Sequence, residues 1–127
     1  MRIRYQYGVR LFKAHKYDDA IPVLQEARND PKTRFQCALY IGRCFFEKKY
    51  ASQAADTFQG ALAHYEIPDD ELGKDLRYWL GRSYEADGKV EEALKEFGQL
   101  IQWDYNYRDV RKRIDDLRNG GQDQPAQ

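Results

Sequence analysis

The residues with the most chemical potential in this 127-residue chain are two cysteines, Cys37 and Cys44, and two histidines, His15 and His64. The cysteines stand seven residues apart. On one helix that spacing separates their Cα atoms by roughly 10 Å, at a rise of about 1.5 Å per residue. A disulfide does not span that distance. There is no CxxC pair, and the histidines lie far from both thiols in sequence, so no metal site is expected. The two cysteines read instead as small buried residues in a reducing compartment. The two serines, Ser52 and Ser83, sit near no histidine in a nucleophile–base arrangement. Asp69-Asp70-Glu71 is a carboxylate cluster. It precedes a helical stretch, where negative charge is favoured by the helix dipole. Neither catalysis nor a cofactor is expected.

Composition narrows the function further. Lys plus Arg is 21 and Asp plus Glu is 21, so the formal charge is zero. Nucleic-acid binders carry a basic excess because phosphate neutralisation drives their affinity, and no such partner is expected. No apolar run approaches the roughly 18 residues of a membrane span. The start, Met1-Arg2-Ile3-Arg4-Tyr5, has no apolar signal core, which points to the cytoplasm. Tyrosine supplies 10 residues of an aromatic content of 14%. Tyrosine tolerates half-burial, with its ring packed and its hydroxyl wet, which suits a thin, open structure.

The elements that would position these residues repeat. Gly8, Gly42 and Gly81 each sit in an apolar helical stretch. Twelve residues on come Ala20, Ala54 and Ala93, and four further Leu24, Phe58 and Phe97. Then come Ala27, Ala61 and Leu100. Tyr7, Ile41 and Leu80 precede the glycines, and Leu11, Phe45 and Tyr84 follow three residues after them. Apolar residues at three-to-four spacing predict an amphipathic helix on each side of each unit. Glycine costs a helix about 1 kcal/mol relative to alanine. Three glycines at one register therefore imply close helix–helix approach, with the alanine at plus twelve as the complementary small residue.

The breaks agree with the period. Lys16-Tyr17-Asp18-Asp19 reads as a turn with an acidic helix start, and Asp87-Gly88-Lys89 as a turn with a glycine C-cap. Asp30-Pro31 closes the first unit. Ile67-Pro68-Asp69-Asp70 holds five extra residues, with helices expected to run longer on both sides of it. The stripe Tyr107, Val110, Ile114 and Leu117, backed by charges, predicts a capping helix over 106–118. Residues 119–127, rich in Gly, Gln and Pro, are expected to be disordered. Nothing caps the first helix, so it is expected to be exposed or to belong to a longer protein.

A glycine spacing of 34 residues with this small–large alternation resembles the tetratricopeptide repeat (TPR) family over about residues 3–104. The resemblance implies an all-α fold, a right-handed superhelical solenoid of three antiparallel helix pairs with a C-terminal capping helix. The domain would cover 1–118, with repeats at about 1–31, 35–68 and 74–105. It also implies that repeat positions 2, 5, 9, 12 and 13 face an inner groove. With the glycine at position 8, these are Arg2, Tyr5, Val9, Phe12 and Lys13, then Gln36, Leu39, Arg43, Phe46 and Glu47, then Asp75, Tyr78, Arg82, Glu85 and Ala86. Tyr5, Phe12, Leu39, Arg43, Phe46, Tyr78 and Arg82 are the partner-binding residues expected. Aromatic anchors would hold a peptide or helix, and the two arginines would pair with its acidic groups. The subgroup that clamps chaperone tails uses Lys and Asn at positions 5 and 9 of the first unit, Asn at position 9 of the second, and Lys and Arg at positions 5 and 9 of the third. Here those positions read Tyr5, Val9, Arg43, Tyr78 and Arg82, and Arg82 alone agrees.

The function expected is therefore a non-catalytic scaffold for a protein or peptide partner, with no nucleic acid, membrane, metal or cofactor. The alternative is a structural element of a larger protein, self-associating weakly through the uncapped N-terminal helix.

Overall fold

A computed structural model describes residues 2–123, and among them every regular element is a helix. The order is α1 (Arg2–Lys13), α2 (Tyr17–Ala27), α3 (Arg34–Glu47), α4 (Ala51–Leu62), α5 (Glu71–Ala86), α6 (Val90–Trp103) and α7 (Val110–Asp123). Each helix packs on the next, and α3 also touches α1 and α5. The result is a solenoid of three helix pairs with α7 laid over α6, as the period predicts.

The turn inside each pair is built one way three times. Lys16 N–H donates to the Leu11 carbonyl, Tyr50 N–H to Phe45 and Lys89 N–H to Tyr84, at 2.8–2.9 Å. These bonds reach back five residues and satisfy carbonyls that the helix end leaves unpaired. The residue before each donor must take a left-handed backbone, and His15, Lys49 and Gly88 do so at φ 63°, 72° and 77°.

Close packing follows from the three glycines, though not in the pairing expected. A Cβ on Gly8 would stand 2.5 Å from Leu24 Cδ2, and one on Gly81 2.5 Å from Phe97 Cε1. Gly42 meets the Phe58 ring in the same way. The glycine thus receives the large residue sixteen positions on. The alanine at plus twelve is buried but is not the glycine's partner. Leu24, Phe58 and Phe97 are fully buried, so none has room to move aside.

Three boundaries differ from expectation. Only α5 lengthens beside the Ile67–Asp70 loop; α4 stops at Leu62. The cause is local: Asp70 caps α5 by accepting from Gly73 N–H at 2.8 Å, and its carboxylate also takes the Tyr65 hydroxyl at 2.6 Å. At the C-terminus, α7 starts at Val110 rather than 106, because residues 105–109 form turns with Arg108 at φ 44°. It then continues to Asp123, into the stretch expected to be disordered; residues 124–127 lie outside the described ones. On α1, Ile3 and Tyr7 are exposed.

Candidate partner-binding face

In a helix, residues three and four apart share a face. Tyr5 and Phe12 on α1, Arg43 and Phe46 on α3, and Tyr78 and Arg82 on α5 obey that spacing and meet where the three helices run side by side. Rings and guanidinium groups alternate across this face. Arg43 Cζ lies 4.8 Å from the Phe12 ring centre and 4.6 Å from that of Trp79. Arg82 Cζ lies 5.1 Å from Trp79 and 5.2 Å from Phe46. Phe46 and Trp79 meet edge to face at 5.3 Å, and Phe12 meets Tyr40 at 5.2 Å. Each cation–ring contact contributes about 0.5–2 kcal/mol, most where water is excluded. The planar arginine heads are thus held at fixed orientations.

The arginines differ in their partners. Arg82 donates to the Tyr78 hydroxyl at 3.1 Å and lies 3.6 Å from Glu85. Arg108 pairs with Asp75 at 2.8 Å, and Arg113 with Glu85 at 2.7 Å and Asp109 at 3.1 Å. Arg43 has no carboxylate within 4.0 Å among the described residues, and its buried Nε meets no acceptor there. Burial between two rings is the main reason its pKa falls below the usual guanidinium value. It remains a half-buried cation whose charge the neighbouring side chains leave unpaired.

The third unit is closed by the chain itself. The Tyr78 hydroxyl donates to Asp109 at 2.8 Å, its ring packs on Tyr107 at 6.0 Å between centres, and Arg108 lies 5.0 Å over it. The Tyr107 hydroxyl donates to Asp75. Burial would raise the Asp109 pKa, but the Tyr78 hydrogen bond and the Arg113 charge outweigh it and hold the carboxyl below its usual range.

Two of the seven expected contact residues are therefore corrected. Tyr78 is 4% exposed and Leu39 8%, both inside the core cluster, so neither presents a surface to a partner. Tyr5, Phe12, Arg43, Phe46 and Arg82 keep partial exposure. Sequence reasoning missed Tyr40, which joins the aromatic face, and Trp79, which at 8% exposure backs Arg43 and Arg82 from the core, both at position 6 of their units. The signal was available: an aromatic stands at that position in both units, beside the residue assigned to the groove. It also missed Tyr107 and Asp109 as the cover over Tyr78. Among the described residues, no group of three or more His, Cys, Asp or Glu is placed to hold a metal, and no helix is long and apolar enough to cross a membrane.

Known proteins share this fold. The chain is 30% identical over 127 aligned residues to cellulose synthase operon protein C of Pseudomonas fluorescens (strain SBW25). The alignment covers 92% of this chain and 10% of that protein, so the chain spans about a tenth of that relative's length. Among solved structures, the first TPR domain of human RPAP3 superposes with a TM-score of 0.80 at 18% identity, over 92% of this chain and 88% of that one. The first TPR of Spaghetti (RPAP3) bound to the HSP90 peptide SRMEEVD gives 0.80 at 18%, over 93% and 90%. A chain of MamA from Desulfovibrio magneticus RS-1 gives 0.79 at 19%, over 94% and 64%. These likenesses establish the fold. The tetratricopeptide repeat profile matches residues 5–71 and 51–107. With the glycine-centred units and, among the described residues, a stack of seven helices, the chain belongs to the tetratricopeptide repeat family.

Proposed function

We propose that this chain holds a segment of a partner protein on the face shared by α1, α3 and α5, and that Arg43 receives an acidic group of that segment. Tetratricopeptide repeat domains are protein-interaction modules. The observation that carries the finer reading is the state of Arg43, fixed between Phe12 and Trp79 and left without a carboxylate of its own among the described residues. A preorganised guanidinium loses little freedom on binding and offers two parallel donors to a carboxylate. Arg82 contributes less, because Tyr78 and Glu85 already engage it.

The clamp positions for chaperone tails are filled by Tyr5, Val9, Arg43, Tyr78 and Arg82, with Tyr78 buried and Arg82 engaged. The partner proposed is therefore an acidic segment of another kind, flanked by apolar side chains that pack on Tyr5, Phe12 and Phe46. No reaction is assigned to the chain. Likeness to a stretch of a much longer protein supports an adaptor role within a larger scaffold. The free thiols of Cys37 and Cys44 support a reducing compartment such as the cytoplasm.

The test places a photo-crosslinking amino acid at Tyr5 or Phe46, and for comparison at Gln53 or Lys95 on exposed faces of α4 and α6, in cells that make the protein. Adducts are expected from the first pair, and Arg43→Glu is expected to remove them while helical content stays intact. Adducts confined to Gln53 and Lys95, or indifferent to Arg43→Glu, would overturn the reading.

A further inference from the structure

The first helices of the units share a three-residue stripe. On α3 it is Cys37, Ile41 and Cys44, at 0%, 1% and 0% exposure, packed with Ala20, Leu24 and Ala27 of α2. On α5 the stripe is Leu76, Leu80 and Ser83, equally buried, and α4 packs against that helix. On α7 it is Val110, Ile114 and Leu117, laid against α6. The spacing is four then three residues every time. On α1 the same register gives Ile3, Tyr7 and Arg10, and here nothing among the described residues covers it: Ile3 is 78% exposed and Tyr7 48%. Beside it, Arg4, Tyr7, Pro22, Val23 and Glu26 line an open cleft between α1 and α2 of about 330 Å³.

We propose that this outer face of α1 is an interaction surface for the second helix of a further TPR unit, docked in the register in which α2 meets α3 and α4 meets α5. The interface already repeats three times along the chain, and α1 carries its apolar half at the fourth place. A folded second copy does not supply the other half. Its matching small–large faces, Ala20 with Leu24, Ala54 with Phe58 and Ala93 with Phe97, are fully buried within that copy. The occupant comes from outside these residues, in keeping with a chain that spans a tenth of its relative's length. Arg10 sets its chemistry. It puts a guanidinium where units two and three have buried Cys44 and Ser83, so the docking helix carries a carboxylate opposite it. Tyr17 packs against the cluster that contains Cys44, so the carboxylate belongs at the place of Tyr17 on the incoming helix.

The experiment joins a second copy of residues 34–68 directly ahead of Met1, which sets the added glycine 34 residues before Gly8. In the added copy, Ala51→Glu places the acid at the position equivalent to Tyr17. Amide exchange in residues 2–13 is expected to slow about tenfold or more, since burial of Ile3 and Tyr7 suppresses local opening. Ile3→Asp with Tyr7→Asp is expected to cancel that protection in the fusion, yet leave the melting temperature of the unfused chain unchanged. Unaltered exchange in the fusion would overturn the proposal. So would an unfused chain that sediments as a dimer and dissociates with Ile3→Asp, because the occupant would then be a second copy. Neither outcome touches the Arg43 face, which lies elsewhere on the stack.

Discussion

Gly81 lies against the edge of the Phe97 ring so closely that a methyl group on its Cα would stand 2.5 Å from Cε1. The same relation joins Gly42 to Phe58 and Gly8 to Leu24. The repeat is thus a socket on the first helix and a plug on the second. Gly42→Ala and Gly81→Ala are each expected to destabilise the fold by about 1–3 kcal/mol through overpacking. Gly60→Ala, where an added Cβ meets nothing within 4 Å, is expected to stabilise it by about 0.5–1 kcal/mol by improving helix propensity. Urea denaturation measures all three, and equal signs would refute the socket.

The turns offer a second test. His15 and Lys49 occupy the left-handed position that Gly88 fills in the third unit. A side chain at such a φ costs about 1–2 kcal/mol, part of which glycine returns as extra freedom of the unfolded chain. His15→Gly and Lys49→Gly are each expected to raise stability by about 0.5–1 kcal/mol. Gly88→Ala is expected to lower it by a similar amount. Thermal melts of the three variants, with unchanged helical content, decide the matter.

Much of this architecture was legible because a period of 34 constrains several offsets together, and chance does not satisfy six of them three times. The plug opposite each glycine was harder to read. Alanine and the large residue four positions on lie on the same face of the second helix, and spacing alone does not say which of them the glycine meets. The start of α7 was hidden because Arg108 takes a left-handed backbone without being glycine or asparagine. The face of α1, α3 and α5 was legible in its directions and not in its coverings. Position rules assign Tyr78 to the groove, and in the structure Tyr107 and Asp109 lie over it. Arg43 and Arg82 looked equivalent in sequence; Arg82 engages Glu85 and the Tyr78 hydroxyl, each one turn away on its own helix, whereas Arg43 meets no carboxylate within 4.0 Å among the described residues.

The two thiols should be inert in the native state. Burial pushes the Cys44 pKa from 9.0 up to about 12, and raises that of Cys37 as well. The thiolate is the reactive form. A disulfide reagent at pH 8 is therefore expected to titrate neither thiol in the folded protein and both in denaturant. The linkage sign follows. A group whose folded pKa is raised contributes stability that is intact below its unfolded pKa and is lost as pH climbs through the folded one. For Cys44 that window runs from about pH 9 to about 12. Tyr65, also raised to about 12, first by burial and then by its bond to Asp70, adds loss from about pH 10. Stability that stays flat from pH 8 to 12 would contradict both.

The last test concerns Tyr107, which joins the cap to the third unit. Its ring covers Tyr78, its hydroxyl donates to Asp75, and Arg108 holds the same carboxylate at 2.8 Å. Tyr107→Phe keeps the ring and the arginine, so it is expected to cost only about 0.5–1.5 kcal/mol, the net value of one hydrogen bond. Tyr107→Ala removes a side chain that is 7% exposed and uncovers Tyr78, and is expected to cost about 3–5 kcal/mol. Deleting 106–127 also strips Val110 and Ile114 from the end of the stack. Each such side chain contributes roughly 1.5–3 kcal/mol when buried, before ordering costs are subtracted. That deletion is therefore expected to lower the melting temperature further and to cause aggregation through the exposed face of α6. Deleting 120–127 should do neither, because Val110 and Ile114, the buried residues of α7 among those described, lie before it. Chemical denaturation of the four proteins, with light scattering for the deletions, gives the order. If Tyr107→Ala costs no more than Tyr107→Phe, the ring does not cover Tyr78 in solution. The third unit would then be open, and Tyr78 would rejoin the candidate binding face.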